Sequence, residues 1–236
     1  MNPKVTIIIP FYNCSYVDQA IESALAQTYH NVEIILVDDG STSYTEKITP
    51  YLQRLTYIRK ENGGTATALN RGIQEASGDY IVWLSSDDVF YPEKIAKQMK
   101  FTQDNQAVIS FTNFDIIDNQ NNVTMKWGGY RLQDDAEFYK RFLLTNIVNG
   151  CTVMMKKDLF DQFGLFKPEY RYTQDYEMWY RLIVKGYKFH YLDEVLTNFR
   201  RHDASGTNKH LPELYKEMHK IEQIYRPQLL KLFTIK

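Results

Sequence analysis

The chain has 236 residues, of which 44% are hydrophobic and 24% are charged, and these fractions exclude a disordered, collagen-like or low-complexity protein. Lys and Arg total 28 against 29 Asp and Glu, so no basic excess favours nucleic acid as a partner. The 2 cysteines are too few for a disulfide scaffold and fit a reducing compartment.

Apolar stretches are short throughout the chain. None approaches the roughly 18 residues that a transmembrane helix needs. The first stretch, Val5 to Ile9, is followed by Pro10 and not by a small-residue cleavage site. We therefore expect a cytoplasmic protein whose first residues are already structural, and contact with the inner face of the membrane is left open.

Short apolar runs alternate with amphipathic runs through the first half of the chain. This alternation with short loops predicts βαβ units and a mostly parallel sheet. The predicted strands are 5–10, 32–37, 55–59 and 80–84, and the predicted helices are 17–25 and 65–76. Right-handed crossovers then bring the loops after these strands to one edge of the sheet.

The second half is less regular and predicts a smaller mixed region. Its predicted strands are 107–117, 123–127, 151–155, 187–192 and 195–201, and its predicted helices are 134–144 and 174–185. A last amphipathic stretch, 214–233, is interrupted by Pro227. We interpret the chain as one α/β domain with a nucleotide-binding front and a mixed back half.

Two of the front strands end in paired acids, Asp38-Asp39 and Asp87-Asp88. In an open α/β sheet, ligands bind beyond the carboxyl ends of the strands. Neighbouring carboxylates repel unless a cation or strong donors offset their charge. Such oxygen ligands suit Mg²⁺ or Mn²⁺ shared with substrate phosphates, and Ser85 in place of an acid leaves part of the coordination to the substrate. Paired Asp residues are equally typical of turns and helix starts, so both interpretations stay open here.

A third carboxylate, Asp175, begins the predicted helix 174–185. It lies on the same helical stripe as the apolar residues Met178, Trp179, Leu182 and Ile183. The acid therefore faces the protein or a cleft, where burial can raise its pKa and allow it to act as a general base. A first-turn acid that only complements the helix dipole is the alternative. His202, after Arg200-Arg201 at a strand end, can ligate a metal or a diphosphate, or it can be a solvated strand end.

In this order, the motifs resemble those of the family 2 glycosyltransferases, which have the GT-A fold, from about residue 4 to residue 202. The matching segments are VTIIIPFYN at 5–13, VDDGST at 37–42, NGG at 62–64 with ALN at 68–70 and Gly72, SGDY at 77–80 with LSSDD at 84–88, and QDYEMW at 174–179. The resemblance implies a single Rossmann-like domain with a mostly parallel central sheet flanked by helices and a smaller mixed acceptor-side region. It implies a domain at 1–205, with a nucleotide-sugar part at about 1–117, an acceptor part at about 118–205 and a helical extension at 206–236.

The resemblance also implies a UDP-sugar donor and Mn²⁺ or Mg²⁺ as the cofactor. By the same resemblance, Asp39 would accept the uracil N3–H and Asp87 would lie near the ribose. The other residues that the resemblance assigns to the donor are Pro10, Tyr12 and Gly63. Asp88 and His202 would hold the metal.

The resemblance further implies that Asp175 deprotonates the acceptor hydroxyl and that a single displacement inverts the anomeric carbon through an oxocarbenium-like transition state. The implied acceptor is a glycan or a lipid-linked sugar, as in surface-polysaccharide or glycoconjugate synthesis.

Two alternative functions and three roles for the C-terminal stretch remain open. Ser85 and Gln174 replace acids usual in the family, so a non-catalytic glycosyltransferase-like binding subunit is the main alternative to an enzyme. A sugar-1-phosphate nucleotidyltransferase is a further alternative, although its glycine-rich basic signature is absent after the first strand. The C-terminal helix can cover the core, form a homo-oligomer contact or lie on an anionic membrane surface.

Overall fold

The computed structural model describes residues 2–202 and 209–234, with side chains for 2–202 and 209–231. The first half forms the predicted parallel sheet, in which three βα units place four strands in the order β3-β2-β1-β4. The strands are β1 (Val5–Phe11), β2 (Val32–Asp38), β3 (Thr56–Arg59) and β4 (Tyr80–Trp83). Between them lie α1 (Val17–Leu25), a 3₁₀ helix (Thr45–Tyr51) and α2 (Thr65–Glu75).

The second half continues the same sheet with mixed strand directions. Beyond β4 the order is β8-β6-β9-β5, and β7 forms a hairpin with β6. The strands are β5 (Val89–Phe90), β6 (Ile109–Ile117), β7 (Val123–Met125), β8 (Met154–Lys156) and β9 (His190–Arg200). The helices are α3 (Lys94–Asp104), α4 (Asp135–Phe142), α5 (Asp158–Phe163), α6 (Gln174–Val184) and α7 (Leu211–Thr234).

Burial explains why the front strands read as continuous apolar runs. Six of the seven residues of β1 are buried, because helices cover both faces of a parallel sheet. The same holds for β4, which is buried along its whole length. The α/β class and the mostly parallel front sheet are therefore confirmed.

The structure differs from the predicted elements mainly in the second half. The two strands predicted at 187–192 and 195–201 are one strand, β9, which begins only at His190 and stays paired with β6 through a register shift near Asn113. Residues 150–152 form a 3₁₀ turn, so the strand predicted at 151–155 begins only at Met154. The sequence analysis did not predict α3, α5 or β5, which the structure contains.

The C-terminal stretch is one helix, α7, and it runs without a break through Pro227. Its side chains Ile221, Tyr225 and Leu229 are buried in the core cluster. The helix therefore covers the core, which is one of the three roles left open for it. No helix in the described part of the chain combines the length and the apolar character needed to cross a bilayer.

Candidate active site

The loops of the candidate site leave one edge of the sheet. Phe11 pairs with Asp38 and Ile8 with Trp83 in the parallel register of β1, β2 and β4. The turns after these strands therefore leave the sheet side by side. Asp38 ends β2, and Asp39, Asp87 and Asp88 stand in these turns, so the predicted convergence of the loops at one edge is present.

Asp39 organises the turn at residues 62–64. Its carboxylate accepts a hydrogen bond from the Gly64 N–H at 2.7 Å and one from the Gly63 N–H at 3.0 Å, and it forms an ion pair with Lys60 Nζ at 2.6 Å. A Cβ atom on Gly63 would lie 2.7 Å from Thr67 Oγ1, so a larger residue there would require the Thr67 side chain to move. The assignment of Asp39 to uracil and of Gly63 to the donor stays a prediction.

The loop after β1 carries the other two residues assigned to the donor. Pro10 is half-buried at the end of β1, whereas the Tyr12 side chain is 54% exposed. Asn13 Oδ1 accepts hydrogen bonds from the N–H groups of Thr42 at 2.8 Å and Ser43 at 2.9 Å. The β1 and β2 loops are thereby fastened together beside an open depression lined by Gly40 and residues 59–62.

The structure brings Asp87, and not Asp88, against His202. The distance between Asp87 Oδ2 and His202 Nε2 is 3.0 Å, and both side chains are partly exposed. The Tyr16 ring meets the His202 ring edge-on with centroids 5.4 Å apart. A carboxylate and an imidazole that converge in this way are ligand types that Mn²⁺ or Mg²⁺ accepts.

Asp88 is buried beneath this pair. Its Oδ1 accepts the Arg200 backbone N–H at 2.8 Å, and its Oδ2 has no hydrogen-bond partner among the described residues. Burial and the neighbouring Asp87 charge raise the pKa of Asp88 well above its usual range. The metal role that the resemblance gives to Asp88 and the ribose role that it gives to Asp87 stay predictions, and of these two acids it is Asp87 that contacts His202.

Arg200 was not singled out from the sequence, although it precedes the candidate His202. Its fully buried guanidinium donates to the Asp87 carbonyl oxygen at 2.7 Å and stacks 4.3 Å from the Tyr16 ring centroid. The same group also donates to Gln19 Oε1 at 2.8 Å. Arg200 therefore fixes the backbone that presents Asp87 and the ring that touches His202.

Asp87 and His202 could supply two ligands, and the described residues contain no complete cage. Within residues 2–202 and 209–231, no group of three or more His, Cys, Asp and Glu side chains could hold a metal ion. A cation bound here needs further ligands from substrate phosphate and water, which is the usual arrangement for Mg²⁺. The residues present therefore fit a metal shared with a diphosphate and do not fit a dedicated protein cage.

Asp175 lies in the first turn of α6, half-buried. Its Oδ1 accepts the Tyr176 N–H at 2.7 Å, and its Oδ2 lies 3.4 Å from Asn146 Nδ2. Burial raises the pKa of Asp175 to about 6, and the two hydrogen bonds only partly offset this rise. A carboxyl group with this pKa is ionised at neutral pH and still accepts a proton readily, as a general base must.

One segment, residues 146–152, connects Asp175 with the loop that carries Asp87. At one end Asn146 binds Asp175, and further along Cys151 Sγ accepts the Ser85 N–H at 3.3 Å. The Ser85 hydroxyl lies 3.1 Å from the same sulfur. No sequence signal pointed to Asn146, because an isolated Asn is common in loops.

Several aromatic side chains lie in α6 and in the segment before it. Tyr170, Tyr176, Trp179 and Tyr180 are buried. The Tyr172 ring stacks on His210 with centroids 4.5 Å apart. Burial therefore excludes sugar stacking for the first four in this conformation.

The sequence matches the family model described as glycosyl transferase family 2 over residues 6–164. It is 40% identical over 225 residues to an uncharacterized glycosyltransferase of Rickettsia typhi, covering 90% of this chain and 69% of that protein. It is 30% identical to the putative teichuronic acid biosynthesis glycosyltransferase TuaG of Bacillus subtilis, covering 84% of this chain and 79% of that protein.

Solved structures of S. aureus TarS have a similar fold. The structure of TarS 1–349 in complex with UDP-GlcNAc superposes with a TM-score of 0.74 at 19% identity, covering 92% of this chain and 65% of that one. A longer TarS chain gives a TM-score of 0.71 at 17% identity, and this chain spans 39% of its length. At this identity the likeness shows the fold alone. Asp175 and His202 lie beyond the segment that the family model matches.

Proposed function

The chain belongs to glycosyl transferase family 2 and has the GT-A fold, and on this premise we propose that it transfers a sugar from a UDP-sugar to a hydroxyl group of a glycan or glycolipid. The observation that carries the proposal is the placement of Asp175. Its half-buried carboxyl, with a pKa of about 6, is joined by residues 146–152 to the loop of the Asp87–His202 pair. This link supports the proposal that the base and the donor-binding edge belong to one site.

Asp175 acts as the base in a single displacement. The acceptor hydroxyl attacks the anomeric carbon, its proton passes to the Asp175 carboxylate, and the bond between that carbon and the phosphate oxygen breaks. UDP leaves with the bonding electron pair, so an α-linked donor gives a β-linked product. The Asn146 amide and the Tyr176 N–H orient the carboxylate toward one face of the site.

Asp87 and His202 are proposed to hold Mn²⁺ or Mg²⁺ together with the donor diphosphate. Bound there, the cation supplies Lewis-acid stabilisation of the charge that develops on UDP. Asp88 is proposed to support the Arg200 backbone beneath the pair. Asp39, Gly63, Pro10 and Tyr12 remain the proposed donor-binding residues.

UDP-GlcNAc is the first donor to examine, because TarS, with the same fold, was solved with it bound. A polysaccharide acceptor is supported by the likeness to TuaG, which is named for teichuronic acid biosynthesis. The cytoplasmic location, a membrane-face acceptor, a homo-oligomer and the division into parts at residues 117 and 205 stay predictions.

Calorimetric titration with UDP tests the donor half of this proposal. We expect UDP to bind with Mn²⁺ present and to bind at least about tenfold more weakly with EDTA, since the diphosphate shares the cation. The control is Glu213→Ala, at an exposed position on α7, which should bind UDP as the wild type does. Equal UDP affinity in Mn²⁺ and EDTA would contradict the metal role, and no binding of UDP under either condition would favour a non-catalytic subunit.

A further inference from the structure

Glu217 of α7 binds the three residues that lead into α6. Its carboxylate accepts the Arg171 N–H at 2.9 Å, the Tyr172 N–H at 3.0 Å and the Thr173 hydroxyl at 2.7 Å. We call residues 171–173 the strap. Three donors on one carboxylate fix its position on the strap more tightly than a single hydrogen bond can.

Helix α7 packs against α6, and this packing fixes the position of Glu217. One turn after Glu217, Ile221 is fully buried. The Tyr225 hydroxyl donates to the buried Glu177 carboxylate of α6 at 2.6 Å, and Glu222 accepts the Tyr176 hydroxyl at 3.1 Å. The two helices are therefore held by apolar packing and by hydrogen bonds at successive turns.

On one side, the strap sets the first turn of α6. Thr173 immediately precedes this helix, yet its hydroxyl caps none of the helix N–H groups and binds Glu217 instead. The Thr173 carbonyl oxygen accepts the Glu177 N–H at 3.1 Å and so begins the helix. Asp175 stands two residues after Thr173, and its direction depends on this turn.

On the other side, the strap meets the donor loop. A Cβ atom built on Gly64 would lie 3.7 Å from Cγ and Nε of Arg171, so the Arg171 side chain lies over this glycine. The Gly64 N–H is the group that binds Asp39 at 2.7 Å. The strap therefore touches the proposed base site and the turn held by Asp39.

We propose that Glu217 is a positioning residue, which holds the strap so that Asp175 and the Asp39 turn keep their relative placement during transfer. This inference rests on the proposed function, because Asp175 is the proposed base. Glu217 touches neither reacting atom and acts through the strap alone. It lies outside the segment that the family model matches.

Three variants test the proposal: Glu217→Ala, Glu217→Gln and, as a matched control one turn earlier on the exposed face of α7, Glu213→Ala. The alanine variant leaves the three donors without their acceptor. Glutamine keeps one acceptor oxygen and restores part of the contact. A displacement of about 1 Å at a reacting group costs on the order of 10²-fold in rate. We therefore expect kcat for UDP release to fall about 10- to 100-fold in Glu217→Ala, less in Glu217→Gln, and not at all in Glu213→Ala.

Two readouts separate positioning from loss of folding. The pH at which kcat is half-maximal should move to lower pH in Glu217→Ala, because a loosened strap admits water to Asp175. Amide hydrogen exchange of the peptide covering residues 170–180, without substrate, should quicken most in Glu217→Ala, less in Glu217→Gln and not at all in Glu213→Ala. Unchanged exchange, or a kcat loss that matches a smaller folded fraction, overturns the proposal. If the wild-type protein releases no UDP, the proposed function fails, and the exchange measurement still decides whether Glu217 holds the strap.

Discussion

At the scale of single residues, Asp175 is a balance of opposed effects. The start of a helix favours a negative charge, and the Tyr176 N–H and the Asn146 amide also bind the ionised form. Burial acts in the other direction, because a carboxylate loses hydration. Burial is the larger effect, since the pKa of Asp175 is raised to about 6.

This raised pKa predicts that Asp175→Asn is stabilising at high pH. The native carboxyl holds its proton more tightly than the unfolded one, so its contribution to folding is lost as pH rises from about 4 to about 6. At pH 8 the native protein carries the cost of a buried charge, about 1–3 kcal/mol for a shift of this size. We expect Asp175→Asn to melt higher than wild type at pH 8 and with no advantage at pH 4. Thermal unfolding at both pH values checks this, and a lower melting temperature at pH 8 would count against a strained carboxylate.

Asp87 and Asp88 provide a second prediction at this scale, because neighbouring acids have different surroundings. Asp87→Asn removes the charge beside His202, so Mn²⁺ affinity should fall at least about tenfold. Asp88→Asn keeps an oxygen for the Arg200 N–H, so Mn²⁺ affinity should stay within a few-fold of wild type. Titration of Mn²⁺ in the presence of UDP measures both. The reverse order of effects would restore the metal role to Asp88.

At the scale of elements, the segment 146–152 depends on a close contact with the sheet. A Cβ atom on Gly150 would lie 2.7 Å from Trp83 Cζ2, inside the ring's van der Waals surface. Gly150→Ala should therefore cost about 1–3 kcal/mol and shift the segment that carries Asn146. The urea concentration at the midpoint of unfolding and kcat for UDP release should both fall below the wild-type values.

A matched control for Gly150→Ala is Gly186→Ala. Gly186 has φ of +88° and nothing within 4 Å of an added Cβ, so alanine there should cost about 1–2 kcal/mol of backbone strain. It follows α6 and lies about 16 Å from Asp175 along the helix axis. Its kcat should match wild type. Equal kcat in both glycine variants would mean that the segment does not position the site.

Sequence patterns predicted the elements well where one physical cause dominates. The runs in β1 and β4 are apolar because both faces are covered, and length separates them from helices. The helix α3 was missed because its buried face carries Lys94, Gln98 and Thr102, which a search for apolar spacing does not count. Pro227 predicted an interruption, but buried Tyr225 and Leu229 hold α7 together on either side of it.

In the candidate site, the sequence predicted only those features that chain order alone determines. The acids after β2 and β4 follow from chain order, since parallel strands bring their ends to one edge. Which oxygen contacts which partner does not follow from chain order, because it depends on contacts between distant segments. Arg200 reaching the Asp87 carbonyl, Cys151 reaching Ser85 and Glu217 reaching the strap are all of this kind.

At the scale of the whole molecule, α7 belongs to the same packed unit as the sheet. Ile221, Tyr225 and Leu229 are buried in one core cluster with α6 residues such as Tyr180. A chain shortened after residue 209 should therefore expose this face and unfold at least 10 °C lower or fail to fold, since each buried large side chain contributes roughly 1.5–3 kcal/mol. A chain ending at residue 234 is the control. Melting of the shortened chain at the wild-type temperature would make α7 a separate extension.

The pH dependence of UDP release from UDP-GlcNAc, with Mn²⁺, with water as the acceptor and with wild type and Asp175→Asn side by side, tests the central claim most directly. The wild-type rate should rise as pH passes through about 6, because Asp175 must be ionised to accept the acceptor proton. Asp175→Asn should lose about 10²- to 10⁴-fold and show no such rise, while its UDP affinity stays near wild type. A variant that releases UDP at the wild-type rate, with the same rise near pH 6, would contradict Asp175 as the base.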